Sequence, residues 1–354
     1  MDREARASFW VFRMNRWVLL GALGLFGLAL LLPIRLLPGD GPGHRSANIA
    51  QGVILWGKDF SGQTELEARQ TLQTMAQEIN RAPVDARVVE SDGLSYVTPE
   101  QIGYTLDIEQ TLFKLTSAGS GGLVKPVLKA LPAVHRLSDY PESIIRQAGT
   151  SQHALGLLFN VDWGEKELGA ILPILKERGA RVTFFVSGRW AQKNPDLLRR
   201  MVADGHEIAS HGYDLTYGPK DLARAGKLRT DIQQSVTTIQ GITNRRVQFW
   251  APHMSEVSPE IVKTASALQL RTVLYSIDTI DWREDATPQS VMQKVRTAKA
   301  GDLILMHPKQ VTVNVLPSLL QSLQVKGLQP VTLSQLLSGV GGGPTETGAP
   351  LGGH

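Results

Sequence analysis

The chain has 354 residues, no cysteine, and 37 basic against 33 acidic side chains, which gives a formal net charge of +4. Without cysteine there is no disulfide framework, thiolate metal site or cysteine nucleophile, so any metal must be held by histidine and carboxylate. Beyond a short N-terminal stretch the basic residues are neither clustered nor interleaved with aromatic residues, so we expect no nucleic-acid partner.

An uncharged apolar run of eighteen residues, WVLLGALGLFGLALLLPI, extends from Trp17 to Ile34. Its length is at the short end of a membrane-spanning helix. Four arginines precede the run and two follow it closely, which places residues 1–16 in the cytoplasm and exports the rest. The sequence predicts a membrane anchor over 17–37 and a single-pass protein of the cell membrane whose main domain is extracytoplasmic. A cleaved signal peptide is the alternative, although no small-x-small cleavage site follows the run.

A short tether and a small domain follow the predicted anchor. Residues 38–50 are rich in Gly and Pro, which is typical of a tether. Residues 51–118 predict a small α+β domain. Its apolar residues recur on one helical face between Thr64 and Ile79, which predicts a helix. Two short apolar runs flank Asp92-Gly93, and this dipeptide predicts a β-hairpin.

Two later stretches of this domain have the form of a helix capping box. Thr98 is followed by Pro99 and Gln101, and Asp107 is followed by Gln110, so each stretch predicts the start of a helix. The pattern resembles the small wall-associated domains that are regarded as peptidoglycan-binding modules. The resemblance covers about 65 residues. It implies binding to the cell wall, and a structural spacer is the alternative.

Residues 119–150 are rich in Gly and Pro, which predicts a connector, and the pattern of apolar residues changes after them. From Ala154 nearly continuous apolar strands, as in ALGLLFN and RVTFFVSG, alternate with helical stretches. This alternation predicts an α/β domain over 151–338 with a parallel, barrel-like sheet. Residues 339–354 contain few apolar side chains, and we expect a disordered tail.

Polar residues that can do chemistry stand at the ends of several predicted strands. In parallel barrels the loops that follow the strands meet over one rim, where functional groups lie. A single Asp or His at a strand end is often an ordinary loop side chain or a helix cap. The repetition of such residues at the ends of several strands predicts a functional site. The strand-end residues are Asn160, Asp162, His211, His253, Asp278, Asp281 and His307.

The order of these strand-end motifs resembles the polysaccharide deacetylases of the NodB-homology type, which form carbohydrate esterase family 4. The resemblance covers about 185 residues. The matching segments are FNVDWGE, TFFVSG, GHEIASH, DTIDW and LMHP, and the first and last are most similar to sporulation-associated members. It implies a distorted parallel (β/α) barrel. It also implies a hydrolase of carbon–nitrogen amide bonds in N-acetylated cell-wall glycan, either peptidoglycan or a chitin-like polymer.

The resemblance also implies a mechanism. In the family a divalent metal such as zinc, held by one Asp and two His, polarises the acetyl carbonyl and activates a water. A second Asp takes the water proton and a His protonates the leaving amine. By this resemblance His307 is the acid, Asp278 or Asp281 orients it, and His211 is the first metal ligand.

The first motif allows two registers, and neither restores the family's metal site. In one register the base falls on Asn160 and the ligand carboxylate on Val161. In the other, Asp162 takes the place of the base and Trp163 that of the ligand.

The second metal histidine is missing as well. Leu215 stands where it belongs, and His253 is the candidate substitute ligand; otherwise His253 is an ordinary loop residue. A zinc site needs about three protein ligands. The sequence therefore also predicts, as the alternative, a catalytically inactive protein that binds glycan or assists wall assembly.

Four residues of the same motifs are candidates for the substrate groove. They are Trp163, Trp250, Pro252 and Trp282. Trp250 also takes the place of the family's base-orienting Arg. Other catalytic classes find no support, because the chain has no G-x-S-x-G elbow, no P-loop, and no G-x-G-x-x-G between a strand and a helix.

Overall fold

A computed structural model describes residues 48–149 and 153–338 of the chain. No helix in these two ranges is both long and apolar enough to cross a membrane. Four predictions lie wholly or almost wholly outside the described residues. They are the cytoplasmic segment 1–16, the anchor 17–37, the tether 38–50 and the tail 339–354.

The first part of the described chain contains short strands and two helices. Its elements are β1 (Ile54–Leu55), β2 (Lys58–Asp59), α1 (Glu65–Ile79), β3 (Arg87–Ser91), β4 (Leu94–Thr98), β5 (Gly103–Leu106), α2 (Ile108–Thr116), β6 (Leu123–Val124), β7 (Leu128–Leu131) and β8 (Ile144–Ile145). The predicted first helix and the predicted hairpin are confirmed as α1 and as β3 with β4.

Helix α1 begins where its capping box predicts. The Thr64 side chain accepts from the Glu67 N–H at 3.3 Å, and the Glu67 carboxylate accepts from the Thr64 N–H at 2.8 Å. The buried residues Ala68, Leu72 and Ala76 recur every four positions on one face. This face packs in a small hydrophobic cluster with Leu112 and Leu115 of α2.

The helix predicted at Thr98 is wrong. The chain instead forms β5, which pairs antiparallel with β7 from Gly103 opposite Leu131 to Leu106 opposite Leu128. A long-range ladder therefore overrides the local capping signal at Thr98. The second box does begin a helix, since the Asp107 carboxylate accepts from the Gln110 N–H at 3.0 Å at the start of α2.

The larger sheet and its helices follow in regular alternation. The strands are β9 (Ala154–Val161), β10 (Thr183–Val186), β11 (Glu207–Ser210), β12 (Phe249–Trp250), β13 (Arg271–Val273), β14 (Ile277–Asp278), β15 (Leu303–Met306) and β16 (Gln329–Val331). The helices are α3 (Glu165–Glu177), α4 (Gly188–Lys193), α5 (Pro195–Ala203), α6 (Pro219–Arg224), α7 (Leu228–Thr243), α8 (Pro259–Ser266), α9 (Pro288–Val295), α10 (Gln310–Val325) and α11 (Leu333–Ser338).

The predicted parallel α/β architecture is confirmed, but the sheet remains open. Its order is β14-β15-β9-β10-β11-β12-β13-β8-β4-β3, with β16 also paired to β9, and every pair except β3–β4 is parallel. In the described ranges β13 and β14 share no ladder. The Leu274 N–H donates to Ile145 of β8, whereas the Ser276 N–H donates to Leu303 of β15, so the chain passes from the β13–β8 part of the sheet to the β14–β15 part between these two residues.

The segment 119–150, predicted as a connector, contributes a strand to each of the three sheets of the described chain, and its strand β6 pairs with β1. Its strand β7 pairs with β5, and its strand β8 lies between β13 and β4, with Ile144 and Ile145 fully buried. The hairpin predicted as part of the small domain therefore extends the large sheet.

Strand β9 is buried on both faces. Leu155, Leu157, Phe159 and Val161 pack against the surrounding helices, whereas Ala154 and Leu158 belong to the cluster inside the curled sheet. This two-sided burial explains its continuous apolar run. The two-residue period of the strand also decides which side chains at its end face the rim.

A buried histidine at the start of β11 makes the fold sensitive to acid. His206 accepts the Val182 N–H at its Nδ1, 3.3 Å away, and burial lowers its pKa to about 4 from the ordinary 6.5. Between these pH values the unfolded chain binds a proton at this ring and the folded chain does not. Protons in that range therefore favour the unfolded state.

We expect the free energy of unfolding to fall by about 2 kcal/mol between pH 7 and pH 5 because of His206 alone. His206→Asn removes the titrating ring and keeps an acceptor for Val182, so it should flatten the pH dependence by about that amount. Urea unfolding at several pH values measures this slope. An unchanged slope in the variant would refute the assignment.

Candidate functional site

The rim of the sheet is formed by the loops that follow the carboxyl ends of β9, β11, β12, β14 and β15. These loops bring together three of the predicted histidines. The rings of His211 and His253 lie edge to face with centroids 5.7 Å apart. Burial is the main cause of the lowered pKa of His211, and the charges of His253 and His307 lower this pKa further, so both rings lie within electrostatic reach of His211.

The predicted acid residue has a complete set of supporting contacts. His307 donates from Nδ1 to Asp281 at 2.8 Å, and its backbone N–H donates to the same carboxylate at 2.7 Å. Thr312 of α10 adds a third hydrogen bond, 2.6 Å long, to this fully buried carboxylate. Because Nδ1 faces Asp281, Nε2 is the nitrogen of His307 left to serve a ligand.

The structure distinguishes between the two aspartates that were predicted to orient His307. Asp281 contacts the ring, whereas Asp278 accepts the Ile280 N–H at 2.8 Å. Ile280 has a φ of 56°, a left-handed conformation that is strained for a β-branched residue. Asp278 therefore stabilises the turn that presents Asp281, and no hydrogen bond joins Asp278 to the imidazole.

His211 is held as a neutral ring. Its Nδ1 donates to the carbonyl of Ala251 at 2.8 Å, so Nε2 keeps its lone pair. Burial is the main reason that its pKa is lowered to about 3. The pKa of His253 is also lowered by burial, and this effect is opposed by the charges of Asp162 and Glu256.

At the end of β9 the polar and apolar side chains point to opposite faces of the sheet. Asn160 lies beside Pro252 in a small cavity with room for about one water molecule, and its buried side-chain oxygen has no hydrogen-bond partner in ranges 48–149 and 153–338. Val161 points the other way, into the cluster between sheet and helices. Asp162 accepts a hydrogen bond from Ser187.

These residues do not fit the family's metal. Of the predicted ligand positions, Val161 and Leu215 are apolar, and Trp163 offers an indole. Within the part of the chain that the structure describes, no three His, Asp, Glu or Cys side chains are grouped so that they could hold a metal ion. His211 and His253 are neighbours, but two rings are fewer than the three protein ligands that a zinc site uses.

The predicted groove residues occupy three different environments. Trp163 and Trp282 are 40% and 49% exposed at the rim, and Trp163 lies parallel to His307 with ring centroids 6.4 Å apart. Pro252 lines the cavity beside Asn160. Trp250 is 1% exposed and packs between sheet and helices, so the prediction that it lines the groove is corrected.

Four supporting residues were missed from the sequence. Ser187 caps α4 and binds Asp162, and Thr312 binds Asp281 from the first turns of α10. Lys309 places its ammonium 4.7 Å from the centre of the Trp163 ring. Asp231 accepts the N–H groups of Tyr213 and Asp214 and so fixes the loop after His211. Only Ser187 carried a signal, because a serine between a strand and a helix is a typical N-cap.

The fold and the rim together define an α/β protein with an open parallel sheet, whose strand ends carry a histidine–aspartate pair and two further histidines. A model of the family "Polysaccharide deacetylase" matches residues 147–273. The peptidoglycan-N-acetylglucosamine deacetylase of Bacillus cereus is 30% identical over 173 residues, which cover 47% of this chain and 80% of that protein. The chain belongs to the polysaccharide deacetylase family.

Other similarities extend over more of the chain. The uncharacterized protein YlxY of Bacillus subtilis is 29% identical over 267 residues, or 74% of this chain and 81% of that protein. The crystal structure of a CE4 family pseudoenzyme from Bacillus anthracis has a TM-score of 0.64 and 26% identity, covering 77% of this chain and 95% of that one. A mutant described as a CE4 family pseudoenzyme with restored enzymatic activity gives the same TM-score. Residues 65–126 match a model named "Putative peptidoglycan binding domain".

Gly164 sets the approach of two rim loops. Its φ is 89°, and a Cβ there would lie 2.6 Å from the carbonyl oxygen of Pro308, which follows His307. The loop after β9 therefore reaches the loop after β15 only because this residue has no side chain.

We expect Gly164→Ala to lower the free energy of unfolding by roughly 2–4 kcal/mol through backbone strain and overlap with Pro308. Gly169→Ala is the matched control. That glycine lies inside α3 with no atom within 4 Å of a new Cβ. The control should stabilise the chain by about 0.5–1 kcal/mol. Chemical denaturation compares the two variants, and an equal effect of both would contradict this account.

Proposed function

We propose that this protein binds N-acetylated cell-wall glycan at the rim of its sheet without using the family's metal-dependent deacetylation. One observation carries this proposal: two of the three ligand positions hold side chains that cannot bind a metal, with Leu215 at one and Val161 or Trp163 at the other. A base position occupied by Asn160 would add a loss of about 10²- to 10⁴-fold in rate, because an amide does not take the water proton.

The relatives support a wall polymer as the ligand. One is a peptidoglycan-N-acetylglucosamine deacetylase by name, and residues 65–126 match a model for peptidoglycan binding. The similar Bacillus anthracis structure is described as a pseudoenzyme. These similarities favour a glycan ligand and are compatible with a family member that has no turnover.

The rim has the side chains that a sugar-binding surface needs. The half-exposed indoles of Trp163 and Trp282 provide flat apolar faces. His307 and Lys309 place polar nitrogens next to Trp163. We therefore assign glycan contact to the tryptophans and orientation of the sugar to the polar groups.

Deacetylation remains the second candidate, and the intact pair of His307 and Asp281 favours it. In that case Nε2 of His307 would protonate the leaving amine while Asp281 stabilises the charged ring. The water would then need a base among the rim carboxylates, and Asp162, whose charge acts on His253, is the candidate.

We expect the full-length protein to bind peptidoglycan and chitin oligomers and to release no acetate from them, with or without Zn²⁺ or Co²⁺. Trp163→Ala and Trp282→Ala should each weaken glycan binding by about tenfold, because each removes a buried apolar contact. Val325→Ala, at an exposed apolar position near the end of α10, should leave binding unchanged.

Acetate release measures turnover, whereas sedimentation with insoluble peptidoglycan and calorimetric titration with the chitin oligomers measure binding. Metal-dependent acetate release that disappears in a folded His307→Gln variant would establish the second candidate and refute the first. A folded protein that neither binds glycan nor releases acetate would refute both.

We also propose that the domain with the rim lies on the outer side of the cell membrane. The uncharged run between Trp17 and Ile34, with its preceding arginines, supports a single-pass anchor with a cytoplasmic N-terminus. The match of residues 65–126 to a wall-binding model supports an extracytoplasmic position.

We expect the full-length protein to stay with membranes after alkaline carbonate washing, and protease added to spheroplasts to degrade its C-terminal domain. A variant with Leu25→Lys and Leu28→Lys should lose membrane retention, because each charge opposes insertion by roughly 2.5–3.5 kcal/mol. Release of a shortened soluble protein would instead identify a cleaved signal peptide.

A further inference from the structure

A surface cavity of about 510 Å³ lies at the end of the sheet opposite the rim. The loops that lead into β12 and β13 form it, and its lining includes Arg245, Arg246 and Gln269. Its volume is within the range of small-molecule sites. We propose that this cavity binds the phosphate group of a phosphorylated sugar or polyol.

The charge of the cavity is positive and uncompensated. Arg245 and Arg246 are exposed, and neither forms an ion pair with any described residue. None of the residues that line the cavity is acidic. Guanidinium groups present paired N–H donors that match the oxygens of a phosphate. Two adjacent arginines with unused donors therefore favour a phosphate ligand.

The amide side chains in the cavity are oriented so that their donors remain available. The Oε1 of Gln240 accepts the Val247 N–H at 2.9 Å, and the Oε1 of Gln269 accepts from Arg246 at 3.5 Å. With both amide oxygens engaged, the NH₂ groups are left to donate. The free polar groups of these side chains are thus donors, as an anion site requires.

Two residues of the cavity have a backbone conformation that favours glycine. Asn244 follows α7 with a φ of 51°, and Gln269 follows α8 with a φ of 60°. At Gln269 the helix end is closed by hydrogen bonds from Gln269 to Ser266 at 2.8 Å and from Leu270 to Ala265 at 3.1 Å. Glycine is the favoured residue at such a helix end. A role of the Gln269 side chain in the cavity would explain why this position has a glutamine in a strained backbone conformation and not a glycine.

The surroundings favour a soluble phosphate ester over a lipid headgroup. Val236 and Leu268 are half-buried in the lining and provide an apolar wall for a carbon skeleton. A site that docks on a membrane would carry exposed large apolar side chains beside the phosphate. The described segments 236–247 and 268–269 carry none.

The test is calorimetric titration of the full-length protein with glucose 6-phosphate, with glucose as the uncharged counterpart. We expect the phosphate ester to bind and glucose not to bind. Arg245→Gln/Arg246→Gln should weaken the affinity by at least about tenfold, because two charge-assisted contacts are lost. Arg178→Gln/Arg229→Gln removes the same charge from exposed positions outside the cavity and should bind like the wild type.

Gln269→Gly separates binding from a purely structural role. It should raise the melting temperature by relieving the strained backbone and should weaken glucose 6-phosphate binding by removing a donor. A higher melting temperature with full affinity would overturn the assignment of Gln269 to the site. The proposal itself fails if the wild type does not bind the ester, or if both arginine pairs cause the same loss. Binding to phosphatidylglycerol vesicles without binding to glucose 6-phosphate would also refute it in favour of a lipid surface.

Discussion

The burial of β9 on both faces is the constraint on which the rest of the site depends. Its alternate residues enter two different hydrophobic clusters, one inside the curled sheet and one beneath the helices. At the end of the strand this period directs Asn160 toward the inner cavity and Val161 into the outer core. A carboxylate at position 161 would be buried among apolar side chains unless the strand end changed its path, which opposes a metal ligand there.

The pair of His307 and Asp281 at the rim has a structural role that is independent of catalysis. The Asp281 carboxylate joins the loop after β14 to the end of β15 and to α10 through three hydrogen bonds. Removing a buried charge partner of this kind destabilises a protein by several kcal/mol. The position of the second metal histidine has no comparable structural role, because Leu215 lies in a loop that Asp231 already fixes. Because the pair of His307 and Asp281 also stabilises the fold, its presence is weaker support for catalytic turnover than its geometry alone suggests.

The sequence was sufficient to predict the alternating architecture and the rim, because both depend on local patterns of apolar strands and strand-end polar residues. It was not sufficient where the outcome depends on strand partners. The capping box at Thr98 is locally sound but gives way to the pairing of β5 with β7. Trp250 belongs to a motif at the rim, yet the period of its strand turns it into the outer core. Thr312 could not be found, since only the packing of α10 brings it to Asp281.

The two ends of the sheet thus present different chemistry to solvent. At the rim Asp281 is hydrogen-bonded to His307, Asp162 is hydrogen-bonded to Ser187, and Asp214 forms an ion pair with Arg189. The exposed surface there combines the indole faces of Trp163 and Trp282 with the ammonium of Lys309, and the indole faces suit uncharged sugar rings. At the opposite end Arg245 and Arg246 have no acidic partner among the described residues, and they border a cavity whose amide oxygens are already engaged.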